Sequence, residues 1–532
     1  MWTEGRAKYR GKYESPAKRV SEENAGARRV LLLPIVICNW PPRWDLSIPR
    51  NGLWSPPAEQ DALVVSFPLL GAVYTHPLSP LVRTTHTSPM RLFTFGFAVF
   101  SLAATALSQT TPSFTPEPSD RAVPARAIPD RYIVKLQAGV NPRAVAPAHG
   151  VTPDFVYQRA VNGFAGVVPP GRLAALRADP RVSSVVPDRA VAAIGKPAPG
   201  GGGTVPQTIP AGIQRIGIVS GFKGDGIGVA VVDTGIDLNH LDLLPIASAS
   251  FSAFGGSALD DHGHGTHTTG TIVARDNGID VVGVAPLATP YAVKVLDGRG
   301  SGSDSAVIAG LEWVATNANV VSPNIRVVNM SLGRAGTLND NPALRTAVQT
   351  LKAGGITVVV AAGNDSSLEV SQQVPATYPE VIAVASTTAL SGTNDYRFYS
   401  GYIGADTASY FTSDGAFASG IGVTISAPGE DQENIDRRGF IQSVGILSTK
   451  LAGGTARMSG TSMAAPHVAG VAVLLYEKGL GLGQTVNTDT IRAKLMQTAS
   501  NSSAPLDSPT SGYSFDGQRE GVLSATGALS AE

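Results

Sequence analysis

Over residues 207–532 short apolar runs alternate with helical patterns, and that alternation limits the folds open to the chain. Residues 229–232, 291–295, 327–330, 357–360, 381–384 and 423–425 are dominated by Val, Ile and Ala, too short for helices, and read as strands. Between and after them, 266–275, 305–316, 343–352, 462–477 and 488–498 carry helical spacing. Strands with no polar alternation are buried on both faces. A parallel sheet between two helix layers supplies that burial, whereas a half-solvated antiparallel sheet does not. The expected fold is therefore α/β, three layers around a mostly parallel central sheet, with reactive groups at the carboxyl ends of strands.

Upstream, 131–136 and 182–187 read as strands and 172–177 as a helix, which suggests a small α+β domain over 130–194. Residues 195–206, with glycine at 200–203, read as an open linker in which a protease could cut. The Thr, Ser and Pro of 109–129 read as a second linker. At Met90 an Arg is followed by the apolar run 92–102 and small residues at 103–106, the pattern of a secretory signal peptide over 90–108. The product is then expected outside the cell, with no membrane partner once the leader is removed. Residues 1–89, rich in Trp, Pro and Arg without a period, are expected to be an unstructured extension produced by a start assigned upstream of Met90. The alternatives are a genuine extension or a membrane anchor over 92–107, a run short for a span. Lys+Arg and Asp+Glu balance at 41 each, which gives nucleic acid nothing to grip. The single cysteine, Cys38, lies upstream of every motif, so an exported product has no disulfide to brace it and must find another staple, such as a bound metal ion.

Three runs carry chemistry. In Met-Ser-Gly-Thr-Ser-Met-Ala-Ala-Pro-His at 458–467, Ser462 stands at the start of an Ala-rich helix, where unpaired N–H groups and the helix dipole favour negative charge. In Val-Ala-Val-Val-Asp-Thr-Gly at 229–235, a buried strand ends in Asp233. Asp-His-Gly-His-Gly-Thr-His at 261–267 places histidines at a helix start. A serine hydroxyl needs an imidazole to take its proton, and the imidazole needs a carboxylate to fix its tautomer.

With their order Asp, His, Ser, these runs resemble the subtilisin-like serine proteases, from about Gln207 to the C-terminus, and the 130–194 domain resembles the inhibitory propeptide that precedes their catalytic domain. The resemblance implies that Asp233 orients, His264 acts as base and Ser462 attacks. His262 and His267 are the less favoured histidines, and Asp237 reads as a turn or surface residue. Asn364, in Val-Ala-Ala-Gly-Asn at 360–364, matches the family's oxyanion donor and would act with the Ser462 backbone N–H. Gly300, Ser301, Gly302, Ser331, Leu332 and Gly333 match the segments that hold substrate as an added strand. Ala361 and Gly363 would wall the first specificity pocket, whose neutral lining implies large apolar side chains. Gln207, Asp242 and Asn277, with the carbonyls of Arg275, Ile279 and Val281, match a calcium cage that Gln207 would join after maturation. The implied product is a monomeric serine endopeptidase of broad taste for proteins and peptides, made as a self-processed zymogen.

Two rivals differ in class. Asp260, Asp261, His262, His264 and His267 could be read as a metal-dependent hydrolase, although zinc helices pair histidines at i and i+4 around a glutamate and here the spacing is i and i+3. A catalytically silent peptide-binding homologue would need a missing triad member, and none is missing. The stretch 387–422, with Tyr396, Tyr399, Tyr402 and Tyr410, departs from the family pattern and reads as a solvated, locally packed insertion.

Overall fold

The computed structural model describes residues 124–195, 203–246, 248–500, 518 and 520–530. The expectations for 1–89, the leader and most of the linker 109–129 lie outside the described residues.

Among the described residues the central sheet has nine strands, in the order Phe251–Ser252, Thr289–Lys294, Gly228–Asp233, Ile325–Met330, Thr357–Ala361, Ile382–Thr388, Ile425–Ile435, Ile441–Thr449, Thr455–Met458. Pairing is parallel as far as Ile425–Ile435, and the last two strands join antiparallel. Successive side chains of a strand face opposite ways, and both faces here are covered. Val229 and Val231 pack with Ala464, Val468 and Val471 of the helix Thr461–Leu482. Ala230 and Val232 pack on the other side with Val307 and Leu311 of Asp304–Asn317 and with Leu344 and Val348 of Pro342–Ala353. The three expected layers are present.

The upstream domain has four antiparallel strands, Ala127–Leu136, Pro153–Tyr157, Gly163–Val167 and Val182–Ala193, with helices Pro142–Ala148 and Leu173–Ala178 over a core that includes Val134, Val145, Phe164 and Leu176. Its last strand runs on into the larger domain, where it pairs with Ser301–Ser303 and Leu332–Ala335.

Several boundaries differ from expectation. The first strand starts at Ala127, inside the stretch expected to be linker. The expected helix at 266–275 is His264–Val273, so the histidine motif opens the helix itself. The expected strand at 423–425 is only the beginning of a long hairpin, Ile425–Ile435 with Ile441–Thr449. The insertion 387–422 lies beneath that hairpin: Ile403, Tyr410 and Phe411 form a cluster with Ile435 and Ile441, and Tyr396 and Tyr399 pack against it. Tyr402 stays 63% exposed, so only part of the insertion is solvated.

Candidate active site

Asp233 is the last residue of its strand and is fully buried. His264 Nδ1 lies 2.8 and 3.0 Å from its two carboxylate oxygens, and the Thr234 N–H donates to Oδ1 at 2.7 Å. His264 is also fully buried, and its Nε2 has no hydrogen-bond partner among the described residues. A donor held by one nitrogen leaves the other as the acceptor, which is the tautomer a base requires.

Ser462 is the second residue of the helix Thr461–Leu482. Its Oγ donates to the Ser331 carbonyl at 3.0 Å, and Ser331 Oγ returns a bond to the Ser462 carbonyl at 2.9 Å. In this arrangement the serine is turned toward Ser331 rather than bonded to His264. Asn364 Oδ1 accepts from both N–H and hydroxyl of Thr461 at 2.9 Å, which aims Nδ2 at the Ile194 carbonyl oxygen, 3.5 Å away. Gly460 faces the same spot: a Cβ there would stand 2.6 Å from that oxygen and 2.9 Å from Asn364 Nδ2. On the other side of the same peptide bond, a Cβ on Gly195 would lie 3.5 Å from His264 Nε2. The Ile194–Gly195 bond is therefore bracketed by the imidazole and the amide.

Two backbone edges hold the chain leading to that bond. Ala190, Val191 and Ala192 pair with Ser303, Gly302 and Ser301, and the Ala193 N–H donates to the Gly300 carbonyl at 2.9 Å. Opposite, Ala192 and Ala193 pair with Gly333 and Leu332, and the Ile194 N–H donates to the Ser331 carbonyl at 3.3 Å. Any side chain at 302 would meet the Val295 carbonyl at 2.3 Å, so only glycine permits that edge. The Ile194 side chain reaches Gly333, its Cδ1 3.2 Å from where a Cβ would be. Ala361 ends its strand buried, and Gly363, at φ 124°, donates its N–H to Thr461 Oγ1 at 3.2 Å and abuts Gln373 and Ser413.

The metal-hydrolase grouping of acids and histidines is not assembled. His267 Nε2 is taken by the Ile446 and Ala456 carbonyls at 3.0 and 3.2 Å, and burial pushes its pKa down to about 3. Asp261 pairs with Lys294 at 2.5 Å. His262 is lowered by burial and then by the neighbouring His264. Asp237 is no surface residue: it is 7% exposed and its carboxylate accepts the Asn239 and Ala452 N–H groups.

The suggested calcium ligands do gather. Asp242 is fully buried, accepting from the Arg275 N–H, Asn277 Nδ2 and the Val281 N–H, and burial pushes its carboxyl up to about 7. A buried carboxylate suits a hard cation, but the groups that face it here are N–H donors, and the side-chain oxygens of Asn277 and Gln207 are turned to backbone N–H groups, so a calcium ion would require these amides to turn their oxygens inward. Asn277 here turns its amide nitrogen to Asp242, and Gln207 Oε1 accepts the Asn277 and Gly278 N–H groups at 2.9 and 2.7 Å. Gln207 thus already docks on this loop while the 194–195 bond is intact, earlier than expected.

The upstream domain grips the larger one beyond the active site. Glu312 accepts the N–H groups of Gln158, Arg159 and Ala160 at 2.6, 2.7 and 2.6 Å. Asp188 accepts the N–H and hydroxyl of Ser305 at the start of the helix Asp304–Asn317, and Arg189 pairs with Asp340. Sequence reading missed these, because an acid on a helix face carries no mark of its partner.

Comparison with known proteins gives the families of the two domains. The sequence pattern of the Subtilase family matches residues 224–527, and that of the peptidase inhibitor I9 family matches 148–193. The chain is 36% identical to Subtilisin DY of Bacillus licheniformis over 301 residues, 56% of this chain and 93% of that protein. It is similar to Alkaline elastase YaB of Bacillus sp. (strain YaB), at 36% over 62% of this chain and 71% of that protein. It also resembles a Thermostable alkaline protease of Halalkalibacterium halodurans, at 38% over 57% and 71%.

Proposed function

Since this chain belongs to the subtilase family and is a serine-type endopeptidase made as a zymogen with an I9 propeptide, we propose that Asp233, His264 and Ser462 form its triad and that Ile194–Gly195 is the bond it first cuts. What supports this is the single juxtaposition of that bond with His264 Nε2 on one side and Asn364 Nδ2 on the other.

Ser462 Oγ rotates from the Ser331 carbonyl to His264 and gives Nε2 its proton as Oγ bonds to the Ile194 carbonyl carbon. The carbonyl oxygen becomes an anion held by Asn364 Nδ2 and the Ser462 N–H. The C–N bond then breaks, and the imidazolium returns its proton to the Gly195 nitrogen. Water, deprotonated by the same imidazole, then adds to the acyl carbon, the ester bond to Oγ breaks, and the imidazolium returns the proton to Ser462 Oγ. Asp233 stays ionised throughout and offsets the imidazolium charge. Other proteins enter along the same edges, 300–302 and 331–333, with large apolar side chains preferred in the seat of Ile194. Calcium, bound by Asp242, Asn277, Gln207 and the carbonyls of Arg275, Ile279 and Val281, would serve as a structural staple. The enzyme is exported through the 90–108 leader and works as a monomer.

The test is a serine-directed fluorophosphonate on the processed protein, with peptide mapping and N-terminal sequencing. Label on Ser462 and a new N-terminus at Gly195 are expected. Hydrolysis by protein that resists the label, or processing of Ser462→Ala at the parent's rate, refutes the reading. Ser462→Ala should lose about 10⁶ in kcat, the loss known for the serine of subtilisin.

A further inference from the structure

The histidine run begins with an acid that the triad leaves unused. Asp260 is 3% exposed, and both its oxygens are filled. Oδ1 accepts Thr234 Oγ1 at 2.8 Å and the N–H groups of His262 and Gly263, each at 2.9 Å. Oδ2 accepts the Thr266 N–H at 2.9 Å and its hydroxyl at 2.6 Å. Burial alone would raise this carboxyl; the bonds from Gly263, Thr266 and His262 outweigh it and hold the pKa below the usual carboxylate value. All the partners are donors. Only an ionised carboxylate accepts them all.

The helix that opens with His264 lacks a cap of its own. Its N-cap is Gly263, left-handed at φ 103°, with no side chain to offer. The free N–H groups of its first turn are met from elsewhere: Thr266 N–H by Asp260, and Gly265 N–H by Thr234 Oγ1 at 2.9 Å. Thr234 directly follows Asp233, and its hydroxyl passes the bond on to Asp260. The helix carrying the base is thus capped by the strand end that carries the base's carboxylate. Backbone contact is close here, since a Cβ on Gly265 would lie 2.0 Å from the Gly235 carbonyl oxygen. Other bonds join the same two segments, the Asp237 N–H donating to Thr266 Oγ1 and the Asp260 N–H to the Ile236 carbonyl, each at 3.0 Å, but the Thr234 hydroxyl alone links the residue after Asp233 to both the helix start and Asp260.

We propose that Asp260, acting through Thr234, is a positioning residue that sets His264 against Asp233 and so fixes where Nε2 stands relative to the scissile bond. This rests on the triad reading above. The carboxylate does not touch substrate; it works by holding the imidazole, and a misplacement of about 1 Å at a reacting group costs about 10² in rate.

The experiment measures kcat per active site, titrated with the fluorophosphonate, in the processed full-chain protein. Asp260→Asn keeps the shape but turns an acceptor into a donor facing donors; kcat per titrated site is expected to fall about 10²-fold with KM within about twofold. The acid limb of its kcat/KM profile should also shift, because the imidazole is held differently. Thr234→Val, which removes only the relay, should lose about tenfold, Thr234→Ser should restore the parent value, and Asp260→Asn with Thr234→Val should be no worse than Asp260→Asn alone. A merely structural acid would lower Tm and the number of titratable sites while each remaining site turned over at the parent rate with the parent pH profile; that result overturns the proposal. Should Asp260→Asn not fold, Thr234→Val at the parent kcat overturns it equally. Parent protein that takes no label at Ser462 sinks the triad reading instead, so the two failures are separable.

Discussion

Glu312→Ala tests how the propeptide is retained after it has been cut. The carboxylate gathers three consecutive backbone N–H groups, from Gln158, Arg159 and Ala160, at 2.6 to 2.7 Å. Hydrogen bonds to a charged group contribute about 1.5 to 3 kcal/mol each when buried, and the first two here are solvent-exposed, so about 1 kcal/mol each is the working figure. Their sum, about 3 kcal/mol, corresponds to about 10² in the dissociation constant. None of these atoms belongs to the triad, so cutting of the 194–195 bond should proceed at the parent rate. What changes is the interval between cutting, followed on a gel, and the appearance of peptide hydrolysis. That lag should shorten about 10²-fold. A variant that folds and cuts normally, yet shows a lag within about threefold of the parent, would refute the assignment of this grip to Glu312.

Three further outcomes follow from the geometry. Gly460→Ala puts a methyl 2.6 Å from the scissile carbonyl oxygen, so kcat/KM on a peptide substrate should fall by about 10² to 10³, the loss seen when subtilisin loses its oxyanion amide; an unaffected rate would show that the carbonyl sits elsewhere. His467 is pushed down to about 4 by burial, below its unfolded value, so its contribution is complete above about pH 6.5 and is lost as pH falls toward 4; His467→Gln in the Ser462→Ala background should lose about 2 kcal/mol less stability between pH 6.5 and 5, by denaturant titration, than Ser462→Ala alone, and equal slopes would contradict this. Asp242, raised to about 7, has the opposite sign: it destabilises the metal-free fold progressively from about pH 4 to 7, so calcium should raise Tm most above pH 7, Asp242→Asn should abolish that rise, and a Tm indifferent to a chelator would remove calcium from this site.

Legibility in the sequence followed the source of each constraint. Strands buried on both faces announce themselves through Val and Ile, and the parallel part of the sheet was readable for that reason. The hairpin Ile425–Ile435 with Ile441–Thr449 was not, because its first strand contains Glu430, Asp431 and Glu433, residues that read as loop and are nevertheless buried. Burial raises the carboxyl groups of Glu430 and Glu433 well above their ordinary range or to about 7, an arrangement no propensity anticipates. In the site, motif residues were legible because chemistry restricts them to a few types. The residues that support them were legible only as composition: Thr461 orients Asn364, and Asp260 caps a helix three residues ahead of its N-cap, both through partners distant in sequence or offset from the usual position.

On the proposed reading, cutting and inhibition would draw on the same strand, so the one need not end the other. Breaking Ile194–Gly195 leaves the pairing of 190–193 with both substrate edges untouched. It leaves Glu312, the Asp188 bonds to Ser305 and the Arg189–Asp340 pair untouched as well. Cleavage at the proposed bond would create a carboxylate at Ile194 beside Asn364 Nδ2, and a charged acceptor should be held there at least as well as the carbonyl it replaces. The cut propeptide is therefore a strand-shaped inhibitor with two separate anchors, and release requires both to let go together. An anchor outside the active site, such as Glu312, is therefore expected to govern how long the enzyme stays silent without touching how fast it cuts.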